Sequence, residues 1–144
     1  MKVKFYDKVE DRLLKFTVIL AKYQGSWVFC KHKERDTYEI PGGHREKGED
    51  ILCAAKRELM EETGAQDFDI SPMCAYSVTG KTRVNEKEDE ETFGMIFTSD
   101  IRTFEKELHS EMEKIIITNE LPDNWTYPLI YPRIIEEAKN WNAL

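Results

Sequence analysis

Short runs of apolar residues dominate the first third of the chain. One run, Phe-Thr-Val-Ile-Leu, lies within residues 13–23, and a second, Trp-Val-Phe-Cys, lies within residues 27–31 after Gln-Gly-Ser. Runs of aromatic and β-branched residues that flank a short glycine-containing loop are typical of a β-hairpin. We therefore predict two antiparallel strands between residues 13 and 31.

Apolar runs alternate with polar segments in the rest of the chain. Residues 68–78 and 92–98 have extended patterns, the polar residues 81–91 between them predict a loop, and residues 115–117 are three isoleucines that anchor a further strand. In the last segment, residues 128–141, apolar positions recur at helical spacing. Pro128 and Pro132 both lie early enough for a first helical turn to tolerate them. The pattern predicts a helix that ends the chain.

An internal helix is predicted between Gly43 and Ala65. Glu49 and Asp50 place negative charge where the helix dipole is positive, and Gly64 can supply the left-handed residue that ends a helix. Strands, an internal helix, further strands and a terminal helix indicate the α/β fold class.

The two faces of this helix differ in chemistry. Leu52, Ala55 and Leu59 recur at i, i+3 and i+7 and predict a buried stripe, with Cys53 as a small buried residue beside it. Ahead of the helix, the Gly42-Gly43 pair predicts a sharp turn that exposes a backbone carbonyl.

Three carboxylates crowd the other face of the helix. Glu58, Glu61 and Glu62 are related by i, i+3 and i+4, which places their Cβ atoms roughly 5–6 Å apart. A solvated helix face is the ordinary interpretation of such a triplet. However, Arg57 alone cannot neutralise these acids together with Glu49, and oxygen ligands without His or Cys suit Mg²⁺ or Mn²⁺. Because Mg²⁺ favours phosphate co-ligands, the substrate is expected to carry phosphate.

The framing sequence resembles the Nudix hydrolase family. That family's box is Gly, five residues, Glu, seven residues, Arg-Glu, an aliphatic residue, any residue, Glu-Glu, any residue, Gly and a small or aliphatic residue. The matching positions here are Gly43, Glu49, Arg57, Glu58, Leu59, Glu61, Glu62, Gly64 and Ala65. The resemblance implies an α/β/α sandwich with a mixed β-sheet.

The resemblance also implies roles for these residues. Metal-binding carboxylates are expected at Glu58, Glu61 and Glu62, with the carbonyl of Gly43 as a further ligand. Arg57 and Glu49 are expected to orient the metal ligands as an ion pair. The general base is either Glu58 or an acid beyond the box. Of the candidates beyond the box, Glu107, Glu111 and Glu113, we select Glu111 as a catalytic residue.

The reaction implied is Mg²⁺-dependent hydrolysis of a nucleoside diphosphate linked to another group. We expect a nucleoside triphosphate, normal or oxidised, as in the MutT-like branch, because Gly80 stands where ADP-ribose pyrophosphatases carry a Pro and Thr82 where dinucleoside-polyphosphate hydrolases carry a Tyr. An RNA 5′-end pyrophosphohydrolase, a nucleotide-sugar or ADP-ribose pyrophosphatase and a non-catalytic nucleotide sensor stay open as alternatives. For base binding we select side chains that can stack or hydrogen-bond: Tyr76, Asn124, Trp125 and Tyr127.

The amino-acid composition limits which kinds of partner and which compartment we expect for this protein. The 144 residues carry 21 Lys and Arg against 28 Asp and Glu, a net charge of −7, which argues against a broad nucleic-acid footprint. The three cysteines form no C-x-x-C pair, and the N-terminus lacks the apolar core of a signal peptide, so we expect a cytoplasmic protein without membrane insertion. We expect residues 1–144 to form one domain. A homodimer stays open.

Overall fold

The computed structural model describes residues 1–80, 87, 89–105 and 112–141. It contains eight strands, one short 3₁₀-helix and two α-helices in this part of the chain. Their bounds in chain order are β1 Lys2–Tyr6, the 3₁₀-helix Asp11–Leu13, β2 Leu14–Tyr23, β3 Ser26–His32, β4 Tyr38–Glu39, β5 Gly42–His44, α1 Ile51–Thr63, β6 Ala65–Thr79, β7 Glu91–Phe104, β8 Met112–Thr118 and α2 Tyr131–Asn140.

All eight strands belong to one mixed sheet, in the order β1-β6-β7-β2-β3-β4, with β5 paired to β2 and β8 paired to β3. The central pair β2–β7 is parallel, and the other described pairs are antiparallel. Strands β2 and β3 separate along their length, so that β5 pairs with the start of β2 and β4 with the end of β3. This end of the sheet carries the candidate site.

The predicted hairpin at residues 13–31 is confirmed. Tyr23 pairs with Ser26, and the two residues of the loop, Gln24 and Gly25, both have positive φ angles of 51° and 82°. Two successive positive φ angles are the feature of the loops whose twist matches that of the flanking strands. The following strand predictions at 68–78, 92–98 and 115–117 also fall inside β6, β7 and β8.

The two helices cover opposite faces of the sheet. Helix α1 packs its Ala55 and Leu59 against Ile19 of β2 and Phe97 of β7. Helix α2 packs on the other face, where its Ile134, Ile135 and Ala138 join a cluster with Val18, Leu20, Phe29 and Ile96. The α/β/α sandwich with a mixed sheet is therefore confirmed. No helix in the described part of the chain is long and apolar enough to cross a membrane.

Helix α1 begins and ends where the sequence indicates, but its buried stripe is shifted. The carboxylate of Asp50 accepts a hydrogen bond from the backbone N–H of Cys53, and Gly64 follows the helix with φ 76°. Leu52 and Cys53 are exposed, so both burial predictions were wrong. The buried stripe instead runs through Ala54, Ala55 and Leu59, and Ile51 packs against the same cluster. Helix α2 starts at Tyr131, with Pro132 in its first turn as expected. Pro128 lies in the turn before the helix, so its predicted place in the first helical turn was wrong.

Candidate active site

The start of β2, the short strand β5 and helix α1 meet at one end of the sheet. Gly43 pairs with Thr17, and Gly42 pairs with Val18. The backbone N–H of Gly42 donates a hydrogen bond to Oε1 of Glu62, with the two atoms 2.6 Å apart. The Gly-Gly pair is therefore tied directly to the acidic face of α1.

A glycine is needed at position 43 because the backbone lies close to the side chain of Glu58, and not because the chain turns there. A Cβ atom built on Gly43 would overlap the carboxyl group of Glu58, so any other residue would push that carboxyl group away. Neither Gly42 nor Gly43 has a positive φ angle, and both lie in an extended strand. The predicted sharp turn at this pair was therefore wrong, because glycine is needed here for space.

Arg57 is the centre of the charge network on this face. Its Nε and Nη2 atoms donate to the two carboxylate oxygens of Glu49 at 2.7 and 2.9 Å. Its Nη1 atom donates to Glu58 at 2.8 Å, and Nη2 also donates to the carbonyl oxygen of His44 at 3.0 Å. Glu61 is farther away, 3.4 Å from Nη1, and its side chain is half exposed. The bidentate pair with Glu49 fixes the arginine that in turn holds Glu58.

The protonation properties of the glutamates diverge for physical reasons. The hydrogen bonds from Arg57 lower the pKa of Glu49 to about 2. Burial raises the pKa of Glu58, and the hydrogen bond from Arg57 opposes that rise. Burial raises the pKa of Glu62 well above its ordinary value, only partly offset by the N–H of Gly42, and the neighbouring charges of Glu58, Glu39 and Glu61 raise it further. Ionisation of Glu62 is thus disfavoured as long as no cation offsets the neighbouring carboxylates.

The oxygen atoms of these residues are suitable ligands for a divalent cation. In the described part of the chain, however, their carboxylates do not point at one common position. The donor set is all oxygen, and Glu62 has no ion pair among the described residues. In the described part of the chain no three His, Cys, Asp or Glu side chains surround one point, since Glu58 is bound to Arg57 and Glu62 to Gly42. Binding a metal ion through all three glutamates therefore requires some of these side chains to rotate.

Of the three candidate acids beyond the box, one lies in a described strand. Glu107 and Glu111 lie outside the described residues. Glu113 lies in the edge strand β8 at an irregularity of its pairing with β3, between Met112 and Lys114, which pair with His32 and Lys31. Glu111 accordingly stays a prediction.

A cleft opens on the opposite side of β5, facing α2. Gly42, Gly43 and Glu39 form the boundary that it shares with the acidic face. Its walls include aromatic and aliphatic side chains from β2, β5, β6, the segment that leads into α2 and the first residue of α2: Phe16, His44, Tyr76, Tyr127, Ile130 and Tyr131. We call this feature the aromatic cleft.

Strand β7 makes room for the rings of the aromatic cleft. Phe16 lies edge-on to Tyr76 with ring centroids 5.4 Å apart, and edge-on to His44 at 6.5 Å. A Cβ atom built on Gly94 would overlap the ring of Phe16 and press on that of Tyr76. Burial raises the pKa values of Tyr76 and Tyr127, so both are neutral phenols at physiological pH.

Two of the four predicted base-binding residues line the aromatic cleft, namely Tyr76 and Tyr127. Trp125 lies in the core instead, edge-on to Phe29 with ring centroids 4.9 Å apart, and it is 7% exposed. The amide of Asn124 donates to the backbone carbonyl of Asp36 at 2.7 Å. Neither of these two lines the cleft.

Sequence reasoning missed Phe16, Glu39 and Gly94. Phe16 sits in an ordinary strand run, and Gly94 is one glycine in another. Glu39 lies three positions before Gly42 and outside the box, and nothing in its spacing distinguished it from the other acids of the sequence.

The α/β/α sandwich and the Gly-Glu-Arg-Glu box on its internal helix define one class of domain. The chain belongs to the NUDIX domain family, whose model matches residues 11–126. A Bacillus subtilis (strain 168) protein named "Putative 8-oxo-dGTP diphosphatase YtkD" is 34% identical over 107 residues, which are 74% of this chain. The match spans 63% of that relative's length.

Solved structures share the fold at lower identity. The Bacillus subtilis pyrophosphohydrolase BsRppH superimposes with a TM-score of 0.76 at 24% identity, over 96% of this chain and 90% of that one. A UDP-X diphosphatase gives a TM-score of 0.69 at 15% identity, over 94% and 66% of the two chains. A Caenorhabditis elegans Ap4A hydrolase gives 0.62 at 16% identity, over 90% and 96%.

Proposed function

We propose that this protein hydrolyses nucleoside triphosphates, normal or oxidised, to nucleoside monophosphates and pyrophosphate, with Mg²⁺ or Mn²⁺ as cofactor. One observation carries the proposal: strand β5 has the glutamates of α1 on one side and the aromatic cleft on the other. A nucleotide has the same two parts, a polyphosphate that needs cations and a planar base that needs an apolar slot. The 34% identical relative, named for 8-oxo-dGTP, supports this substrate class.

In this proposal Glu58, Glu61 and Glu62 hold the cations, together with the carbonyl oxygen of Gly43. A bound divalent ion would neutralise phosphate charge and lower the pKa of a water molecule. Arg57 keeps Glu58 in place, and Glu49 keeps Arg57 in place, through the hydrogen bonds described above. Water adds to a phosphorus atom, the bond from that phosphorus to the bridging oxygen breaks, and the proton from water passes to Glu58 or to Glu111.

Several other features agree with this proposal. Three free cysteines, two of them buried, suit a reducing cytoplasm. One continuous sheet from β1 to β8, with a helix on each face, supports a single domain over residues 1–144.

The test is the release of phosphate and of pyrophosphate with Mg²⁺ from a panel of compounds. The panel contains dGTP, 8-oxo-dGTP, dATP, ADP-ribose, a nucleotide sugar, a dinucleoside polyphosphate and a 5′-triphosphorylated RNA. We expect pyrophosphate from the triphosphates, loss of that activity in Glu62→Gln, and retention in Glu136→Gln, an exposed acid on α2. If only another compound of the panel is hydrolysed, that compound defines the substrate class instead of the nucleoside triphosphates. If no compound is hydrolysed, a nucleotide sensor is favoured.

A further inference from the structure

Only one of the two carboxylate oxygens of Glu39, in the aromatic cleft, accepts hydrogen bonds from the described residues. Oε2 of Glu39 accepts hydrogen bonds from Nη1 of Arg35 at 2.9 Å and from the hydroxyl of Thr126 at 3.2 Å. Among the described residues, Oε1 accepts none. The side chain of Glu39 is 14% exposed, and it is the only carboxylate that lines this cleft in the described part of the chain. A nearly buried acid thus keeps one oxygen available to a ligand.

The position of Glu39 is fixed by the structure around it. The backbone N–H of Tyr38 donates to the carbonyl of Asn124, and that of Thr126 donates to the carbonyl of Tyr38, both at 2.9 Å. The hydroxyl of Thr126 has one proton and donates it to Glu39. Thr37 is therefore the donor in the 2.6 Å hydrogen bond between the two threonine hydroxyls. Thr37, Thr126 and Arg35 therefore hold one oxygen of Glu39 in place before any ligand arrives.

A carboxylate accepts hydrogen bonds and cannot donate them, which limits the bases it can recognise. Guanine presents two neighbouring donors on its pairing edge, N1–H and the 2-amino group. Adenine presents an amino donor beside the acceptor N1, and that lone pair would face the carboxylate. Cytosine likewise places an acceptor beside its amino group, and thymine flanks its single N–H with two carbonyls.

The walls of the cleft suit a planar ring next to this carboxylate. Tyr127 lies edge-on to Tyr131, with ring centroids 5.5 Å apart, and Phe16 and Tyr76 form a second edge-on pair. Aromatic side chains in such arrangements supply large apolar contacts to a base. The cleft thus offers apolar surface for the ring and one carboxylate oxygen for its edge.

We propose that Glu39 selects guanine bases: its available oxygen, Oε1, has two lone pairs and accepts hydrogen bonds from the neighbouring N1–H and 2-amino groups. This inference rests on the proposed function, since it names the base that the nucleotide site takes. Oxidation at C8 leaves that edge unchanged, so dGTP and 8-oxo-dGTP are both accepted. Arg35 is a positioning residue for Glu39.

The first experiment measures binding, so that it does not depend on turnover. Dissociation constants for dGMP, dIMP and dAMP are measured with the wild-type protein. We expect dGMP to bind about 10- to 100-fold more tightly than dAMP, because hydrogen bonds to a charged group are strong. dIMP, which lacks only the 2-amino group, should lie between them. Equal affinities for dGMP and dAMP would overturn the inference.

The second experiment compares kcat/KM for dGTP and dATP in the wild type, Glu39→Gln and the control Glu136→Gln. A glutamine amide both donates and accepts, so it complements adenine and mismatches guanine. We expect the preference for dGTP over dATP to fall about 10- to 100-fold in Glu39→Gln only. An equal loss for both substrates would show that Glu39 serves the fold or the phosphates, and it would overturn the inference.

These outcomes separate the inference from the proposed function. A protein that binds dGMP selectively but hydrolyses no triphosphate keeps the inference and loses the proposed function. A protein that hydrolyses dGTP and dATP equally loses the inference alone. If Glu39→Gln fails to fold, the dissociation constants of the wild-type protein for dGMP, dIMP and dAMP still show whether the cleft selects guanine.

Discussion

The acidic face and the aromatic cleft lie on opposite sides of the same short strand, and they are built in opposite ways. The acidic face comes almost entirely from residues 49–62, a single helix and its approach. The aromatic cleft takes residues from five separate parts of the chain, including Phe16, Glu39, Tyr76, Thr92 and Tyr127. The first can be recognised by spacing along the sequence, whereas the second exists only after the sheet has formed.

The two regions also differ in energy. Glu62 is partly buried among like charges, which costs free energy until a cation arrives. The cleft is mainly apolar, and its single carboxylate is paired with Arg35. We therefore expect substitutions of the glutamates in the acidic face to lower activity without lowering stability. Substitutions in the cleft are expected to change the affinity for the substrate.

The largest effect is expected for Glu62→Gln. Loss of a metal-binding carboxylate should lower kcat by about 100-fold or more. The metal-free variant should be at least as stable as the wild type, since the cost of ionising a partly buried carboxylate among like charges is removed. Steady-state kinetics and thermal unfolding in EDTA measure the two effects. A variant that is active but unstable would assign Glu62 to the fold.

Arg57→Lys should have the next largest effect. Lysine keeps the charge but cannot reproduce the forked contacts to Glu49, Glu58 and the carbonyl of His44. We expect the Mg²⁺ concentration for half-maximal activity to rise about 10- to 100-fold. Arg102→Lys is the matched control, because Arg102 forms similar pairs with Asp67 and Asp69. Equal effects of the two substitutions would contradict a special role for Arg57.

Gly94→Ala tests the cleft without touching the acidic face. The added methyl group would force the rings of Phe16 and Tyr76 to move. We expect a loss of stability of about 1–3 kcal/mol and a rise of about 10-fold in KM with little change in kcat. Adding Phe16→Leu, which removes the obstructing ring atoms, should recover part of the stability. A fall in kcat at unchanged KM would contradict the separation of the two regions.

The smallest effect is a dependence of metal stabilisation on pH. Because the folded-state pKa of Glu62 lies above its ordinary value of 4.5, its ionisation costs stability as pH rises through that raised pKa. Mg²⁺ binds the ionised form, so the increase in Tm on adding Mg²⁺ should grow by a few degrees as pH rises from the ordinary glutamate value through the raised pKa. Glu49, whose pKa is lowered to about 2, should contribute stability throughout this range and lose it only below about pH 4.5. Thermal unfolding with and without Mg²⁺ measures both, and a pH-independent Mg²⁺ effect would contradict the assignment.

The contrast between the regions also explains what the sequence could predict. The ends of α1 at Asp50 and Gly64 and the hairpin at Gln24-Gly25 followed from local chemistry, and the structure has them in place. Leu52 and Trp125 could not be placed, because their burial depends on how α1 and the segment before α2 lie against the sheet. Strands β1, β4 and β5 are short, and pairing with distant strands defines them more than their own residues do.

The most direct test of the acidic face is Mn²⁺ binding to the nucleotide-free protein, followed by the electron paramagnetic resonance signal of free Mn²⁺. The account predicts at least one Mn²⁺ ion bound per chain in the wild type and in Glu136→Gln, and markedly weaker binding in Glu62→Gln. Binding that is unchanged in Glu62→Gln would contradict the claim that the glutamates of α1 form the metal site.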